Sequence, residues 1–265
     1  MAKLLLLTGA SGALGRWIAP ALAERGYALR LSDISDFPDP LPENATFIRA
    51  DLADTAAVAE LVKDSSVVLH FGGISTERHW SDIIGANVVG TVNIFEAAKT
   101  QGQRVVFASS NHTIGFYPRG AMLDSTDPYR PDGYYALSKA WGELLGRMMY
   151  DKHGLESVHL RIGSAVPDPV ETRHLSTWFS QPDIMRALIA AIEAPVTGHC
   201  VVWGVSANAE RWWQNDDADR IGFVPQDHAE DHGPLAPETD PIARRFQGAS
   251  FAAQDFTRGN LDDPA

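Results

Sequence analysis

The chain has 265 residues, of which 45% are hydrophobic and 21% charged, and a formal net charge of −12. That length accommodates one α/β domain with a full core plus a small appendage, and the apolar fraction excludes a disordered chain. The negative charge argues against nucleic acid and anionic membrane surfaces as partners, since both carry the same sign.

Lys3 to Thr8 is a short apolar run entering a Gly-rich turn, after which Leu14, Ile18, Ala21, Leu22 and Arg25 recur at helical spacing, predicting strand, turn and helix. Ala28 to Asp33 and Thr46 to Arg49 read as the next strands. A helix with Val58, Leu61 and Val62 inward follows, with Asp54 placed to cap it. Val67 to His70 is a fourth strand, Asn87 to Lys99 a helix, Arg104 to Ser109 a fifth strand, Tyr135 to Lys152 a long helix and Val158 to Arg161 a sixth strand. This alternation predicts an α/β fold, a doubly wound parallel sheet of Rossmann type with ligands beyond the carboxyl ends of the strands. After residue 165 the rhythm breaks: a helix near Pro182 to Glu193, a strand at Cys200 to Trp203 and a Pro-rich acidic segment. The expected division is residues 1–165 as a dinucleotide-binding domain and 166–265 as a small C-terminal substrate lobe joined to it as one unit.

Gly9, Gly12 and Gly15 stand at spacing three, directly after a strand and opening a helix, with Ala13 and Leu14 between them. Such a turn lets a pyrophosphate approach the backbone at a helix N-terminus. Asp33 ends the next strand, followed by Ile34. A carboxylate there accepts from ribose hydroxyls and repels a 2′-phosphate, so NAD is the expected cofactor; the alternative is a turn-initiating Asp. Asp51 and Leu52 follow the third strand where an adenine would lie, although an ordinary helix cap uses the same pair. Phe71 and Gly72 follow the fourth strand and leave room for a cofactor, as a plain tight turn also would.

Tyr135 and Lys139 are four apart on one helix face, with Gly142 and Gly146 continuing it. A phenol is a poor base near neutrality, and an adjacent ammonium favours its ionised form. Ser110, just past the fifth strand, supplies a hydroxyl for the reacting oxygen. Alone, each of these has a bland reading, as an exposed helix pair or a capping Ser.

Together with Asn87-Val-Val-Gly-Thr91 and Ser109-Ser110, these motifs resemble the extended short-chain dehydrogenase/reductase family over about residues 3–165. The resemblance implies that Tyr135, Lys139, Ser110 and Asn87 are catalytic, with Asn87 holding a water behind Lys139; a helix-start Asn is the other reading. Within that family, His70 to Ser75, Phe107 to Gly115, Arg161 to Ser164, Leu175 to Ser180 and Val202 to Gly204 are similar to uronate dehydrogenases. That closer resemblance implies oxidation of a uronic acid at C1 to an aldaric acid lactone with release of NADH. It also implies substrate contacts from Ser75, Ser110, Asn111, His112, Tyr135, Ser164 and Arg173, with Arg173 as a bidentate fork for the carboxylate. Two alternatives stay open, a sugar-nucleotide epimerase or dehydratase and a nonenzymatic NAD-sensing regulator.

The lone Cys200 cannot form an intramolecular disulfide, no Cys or His cluster has zinc spacing, and no apolar stretch approaches the roughly 20 residues that span a bilayer. No metal is expected, and a cytoplasmic location is. A homo-oligomer is expected, with the aromatic C-terminal third as a source of interface; Trp178, Trp203, Trp212 and Trp213 read as either core or interface residues and are not assigned to the site. The late acidic residues Asp216, Asp217, Asp219, Asp227, Glu230, Asp231, Glu238 and Asp240 are expected to form a solvated surface.

Overall fold

A computed structural model of the chain describes residues 3–214, 217–254 and 256. Asp216 and the last nine residues of the expected C-terminal lobe, 257–265, lie outside the described residues. The strands are β1 (Leu4–Thr8), β2 (Ala28–Asp33), β3 (Ala45–Arg49), β4 (Val67–His70), β5 (Arg104–Ser110), β6 (Ser157–Ile162) and β7 (His199–Gly204). They form one parallel sheet in the order β3-β2-β1-β4-β5-β6-β7. The helices are α1 (Ala13–Glu24), α2 (Thr55–Val62), α3 (Trp80–Ile83), α4 (Gly90–Gln101), α5 (Tyr134–His153), α6 (His174–Thr177), α7 (Gln181–Glu193) and α8 (Ala218–Ile221), with a π-helical turn, Ile84–Val89, joining α3 to α4.

β1 and β4 read as nearly unbroken apolar runs because helices cover both faces of the sheet. Leu5 and Leu7 share a core with α1 and α7, whereas Leu6 between them joins α2, α4 and α5. The same alternation puts Val106 on the first side and Val105 and Phe107 on the second. Asp54 caps α2 as its position predicts, accepting from the amides of Ala56 and Ala57. From β1 the chain winds outward to β3, then returns to β4 on the other flank of β1. That reversal opens a crevice beyond the carboxyl ends of β1 and β4.

Residue 165 does not mark an edge of the sheet. β7 pairs with β6 from Ser157 opposite His199 to Ile162 opposite Gly204, and α7 packs into the α1 core. What covers the carboxyl ends of the strands is the stretch through α6 and the segment after β7.

Of the two readings of the tryptophans, core or interface, the structure takes core. Trp203, Trp212 and Trp213 form a third apolar cluster with Ile114 and Leu123, Trp203 stacks on Trp213 at 4.7 Å, and Trp178 is 3% exposed. Their indoles fill core. The exposed apolar stripe lies instead on α5, where Tyr134, Leu137, Trp141, Leu144 and Met148 recur at spacings of three and four. Two of the late acidic residues are also not simply solvated. Asp217 accepts from the Val201 amide at 2.9 Å, and Asp227 accepts from Ser180 and pairs with Arg186 at 3.3 Å. No helix among the described residues is long and apolar enough to cross a membrane.

Candidate active site

A cleft of about 990 Å³ occupies the crevice. On one side it is floored by the β1–α1 turn. Gly9 has φ +72°, and a Cβ there would lie 2.5 Å from the Phe71 carbonyl carbon; one at Gly15 would lie 2.3 Å from the Gly9 oxygen. A Cβ at Gly12 would meet only the Gly9 oxygen, at 3.3 Å, so this residue keeps the mouth of α1 open. Gly12 is the N-cap of α1 and no side chain caps it, which leaves first-turn amides and the positive end of the helix facing the cleft. This suits a pyrophosphate. The Asp33 carboxylate is oriented by amides, with Oδ2 accepting from Ser11 at 3.0 Å and Oδ1 from Ser35 at 3.2 Å. Ile34, Asp51 and Leu52 line the same end, and Phe71 and Gly72 lie between it and the centre.

At the centre, Tyr135 and Lys139 both face the cleft although they are 8% and 6% exposed. Their helix lies close to the sheet because it carries glycines there: a Cβ at Gly142 would lie 2.5 Å from the Phe107 ring and one at Gly146 2.2 Å from His159. The Lys139 ammonium sits 5.0 Å from the Phe107 ring centre and 5.7 Å from that of Tyr135. Burial pulls Lys139 down to about 8. Burial also pushes the Tyr135 phenol up to about 12, against a Ser110 hydrogen bond that lowers it, while the Asp132 charge adds to the rise. Behind the pair, Thr8, His70 and Thr91 form a buried chain. The Thr91 hydroxyl donates to the Asn87 carbonyl at 2.6 Å, so His70 Nε2 donates to Thr91 and Nδ1 accepts from Thr8, whose oxygen accepts from Gly72. His70 is neutral, its pKa lowered to about 3 by burial and then by the Lys139 charge.

The far end is polar. Arg173 is 7% exposed, with Nη1 donating to Ser164 at 2.8 Å and Thr177 at 3.4 Å, and Nη2 to the Gln247 carbonyl at 2.9 Å. With the Asn111 amide turned so that its nitrogen donates to the Ile162 carbonyl, its oxygen accepts from Arg173 Nη2 at 3.1 Å. Only Nε has no partner. Among the described residues no carboxylate comes within 4.0 Å of this guanidinium, and burial pulls it down to about 10 despite the more distant Glu171. His112 Nδ1 is 2.7 Å from Asp132 Oδ2, and its ring meets Phe251 at 4.1 Å and Tyr135 at 6.1 Å between centres.

The fold thus brings to one cleft Gly9, Gly12, Ala13, Leu14, Gly15, Asp33, Ile34, Asp51, Leu52, Phe71, Gly72, Ser75, Ser110, Asn111, His112, Tyr135, Lys139, Ser164 and Arg173. Asn87 is set apart. Its amide is spent on Ile74, accepting from the nitrogen at 2.7 Å and donating to the carbonyl at 2.9 Å, and on Ser138 at 3.0 Å. Sequence reasoning did not reach Asp132, Thr177, Gln247 or Glu77. Gln247 acts through its carbonyl, which no side-chain motif reveals, and Glu77 reaches α5 from a distant loop.

The model of the NAD dependent epimerase/dehydratase family matches residues 5–213, and the chain belongs to that family. A uronate dehydrogenase of Pseudomonas syringae pv. tomato is 43% identical over 94% of this chain and 93% of its own. The crystal structure of a glucuronic acid dehydrogenase from Chromohalobacter salexigens superimposes with a TM-score of 0.91 at 43% identity, covering 97% of this chain and 99% of that one. A uronate dehydrogenase mutant from Agrobacterium tumefaciens, complexed with NAD, gives 0.89 at 43% identity over 95% and 97%.

Proposed function

We propose that this chain is an NAD-dependent uronate dehydrogenase, oxidising C1 of D-glucuronate or D-galacturonate to the aldaric acid lactone. The observation that carries this reading is Arg173, a buried cation in the cleft wall with no carboxylate partner among the described residues and with a free Nε donor. Burying an unpaired charge is costly, and a substrate carboxylate supplies the missing partner. The terminal nitrogens already bond Ser164, Thr177, Asn111 and the Gln247 carbonyl, so the substrate acid shares these bonds rather than taking an empty fork. The relatives named uronate dehydrogenase support the same substrate class.

In this reading the Gly9–Gly15 turn and uncapped α1 hold the NAD pyrophosphate, Asp33 the adenosine ribose, and Lys139 the nicotinamide ribose. NAD held there would supply the acceptor for the C1 hydride, with NADH as the product. Ser110 and Tyr135 hold the anomeric hydroxyl, and Tyr135 as phenolate removes its proton. Lys139 assists by keeping an ammonium near the phenolate. With a pKa of about 8, Lys139 is mainly charged at neutral pH and loses that charge above it. Ser75 and His112 hold ring hydroxyls. Asn87 acts at a distance, as the frame of the loop that carries Ser75.

The test is nicotinamide absorbance on mixing protein, NAD and either uronate. Stoichiometric NADH is expected; interconversion of a nucleotide sugar without NADH would mark an epimerase, and NAD binding without turnover a sensor. Tyr135→Phe should cut kcat by about 10²- to 10⁴-fold while still binding NAD. We further infer a cytoplasmic location and a homo-oligomer, for which the exposed apolar stripe of α5 offers a surface. Leu144→Asp should release a smaller species in size-exclusion chromatography.

A further inference from the structure

The loop between β4 and α3 is fastened at two points. At one, the Asn87 amide grips both backbone groups of Ile74. At the other, Glu77, 1% exposed, accepts from the Tyr134 amide through Oε1 at 2.9 Å and from the Tyr135 amide through Oε2 at 2.8 Å. No cation lies within 4.0 Å of this carboxylate among the described residues. Its charge meets the positive end of a 20-residue helix that has no cap from its own N-cap residue, Gly133. Gly133 is the room Glu77 needs, because a Cβ there would lie 2.3 Å from Oε2.

A Ser or Asp at position 133 would cap α5 locally without burying a carboxylate from another segment. What the distant Glu77 adds is a tie. Ser75, which lines the cleft, stands between the two fastenings, and Tyr135 is one of the residues whose amide Glu77 holds.

We propose that Glu77 is a positioning residue: it locks the Ser75 loop to the first turn of α5 so that Ser75 and Tyr135 keep a fixed spacing across the substrate. The proposal rests on the reading of both as substrate contacts. Glu77→Gln removes the charge and one acceptor at constant shape, and Gly133→Ala displaces the carboxylate while keeping it. Each should lower kcat roughly 10- to 100-fold through misplacement of the base, raise KM for the uronate, leave the Kd for NAD unchanged and enlarge the primary isotope effect of C1-deuterated substrate. The double variant should be no worse than the more impaired single one. A kcat that falls only with the active fraction, at unchanged KM and isotope effect, overturns the proposal.

Amide hydrogen exchange reads the tie without substrate. Faster exchange over both 73–77 and 133–137, with α4 unchanged, supports it, and a rise confined to 133–137 overturns it. If Glu77→Gln does not fold, Gly133→Ala carries the same measurements. If the unmodified protein fails to oxidise uronates, the functional reading falls, and exchange alone decides whether the tie exists.

Discussion

Arg161 and Arg173 are both buried at the carboxyl end of the sheet, 0% and 7% exposed, and their surroundings are opposite. Arg161 on β6 meets Glu143 of α5, also 0% exposed, at 2.8 Å. Ser109 and Tyr129 bond the same carboxylate, and the Trp203 ring covers the guanidinium at 4.8 Å. Burial pulls this arginine down, but Glu143 outweighs that and holds its pKa above the ordinary value. Arg173 has hydroxyls, an amide and a carbonyl around it and, among the described residues, no carboxylate in contact, so burial prevails and its pKa falls. Arg161 is compensated within the fold by Glu143; in the proposed function the charge that compensates Arg173 is the substrate's carboxylate.

Removing either partner alone tests this. Glu143→Ala should give the largest effect, a loss of about 3–5 kcal/mol of stability because it leaves Arg161 buried and unpaired, read as a lower midpoint in urea. Arg173→Met should do the reverse: stability equal to or above the starting protein, with substrate binding weakened by about 1.5–3 kcal/mol, roughly 10- to 150-fold in KM. A large loss of stability in Arg173→Met would break the comparison.

The smallest expected effect concerns a third buried charge. Asp132 disfavours the Tyr135 phenolate, raising its pKa. Asp132→Asn keeps an acceptor for His112 and removes that charge, so the pKa falls and the rise of activity with pH moves to lower pH. A pH–rate profile that stays in place or moves upward contradicts this assignment.

Much of the fold was legible because strand burial, helix periodicity and turn chemistry are local. The run Leu4–Leu7 and the i, i+3, i+4 spacing of Val58, Leu61 and Val62 announce their elements without help from distant residues. The tryptophans of the last third were not legible in this way. An indole is equally suited to core and interface, and only the stacking of Trp203 on Trp213 decides between them.

By itself the sequence determined the alternation of strands and helices, the three-glycine turn, and the pairing of Tyr135 with Lys139 on one helix face. Each depends on spacing along a single segment. Only the tertiary structure decided that Arg173 is buried with no carboxylate in contact among the described residues, that the Gln247 carbonyl holds it, and that Glu77 bonds the first amides of α5. Charge compensation is a property of which distant segments meet, and no local pattern encodes it.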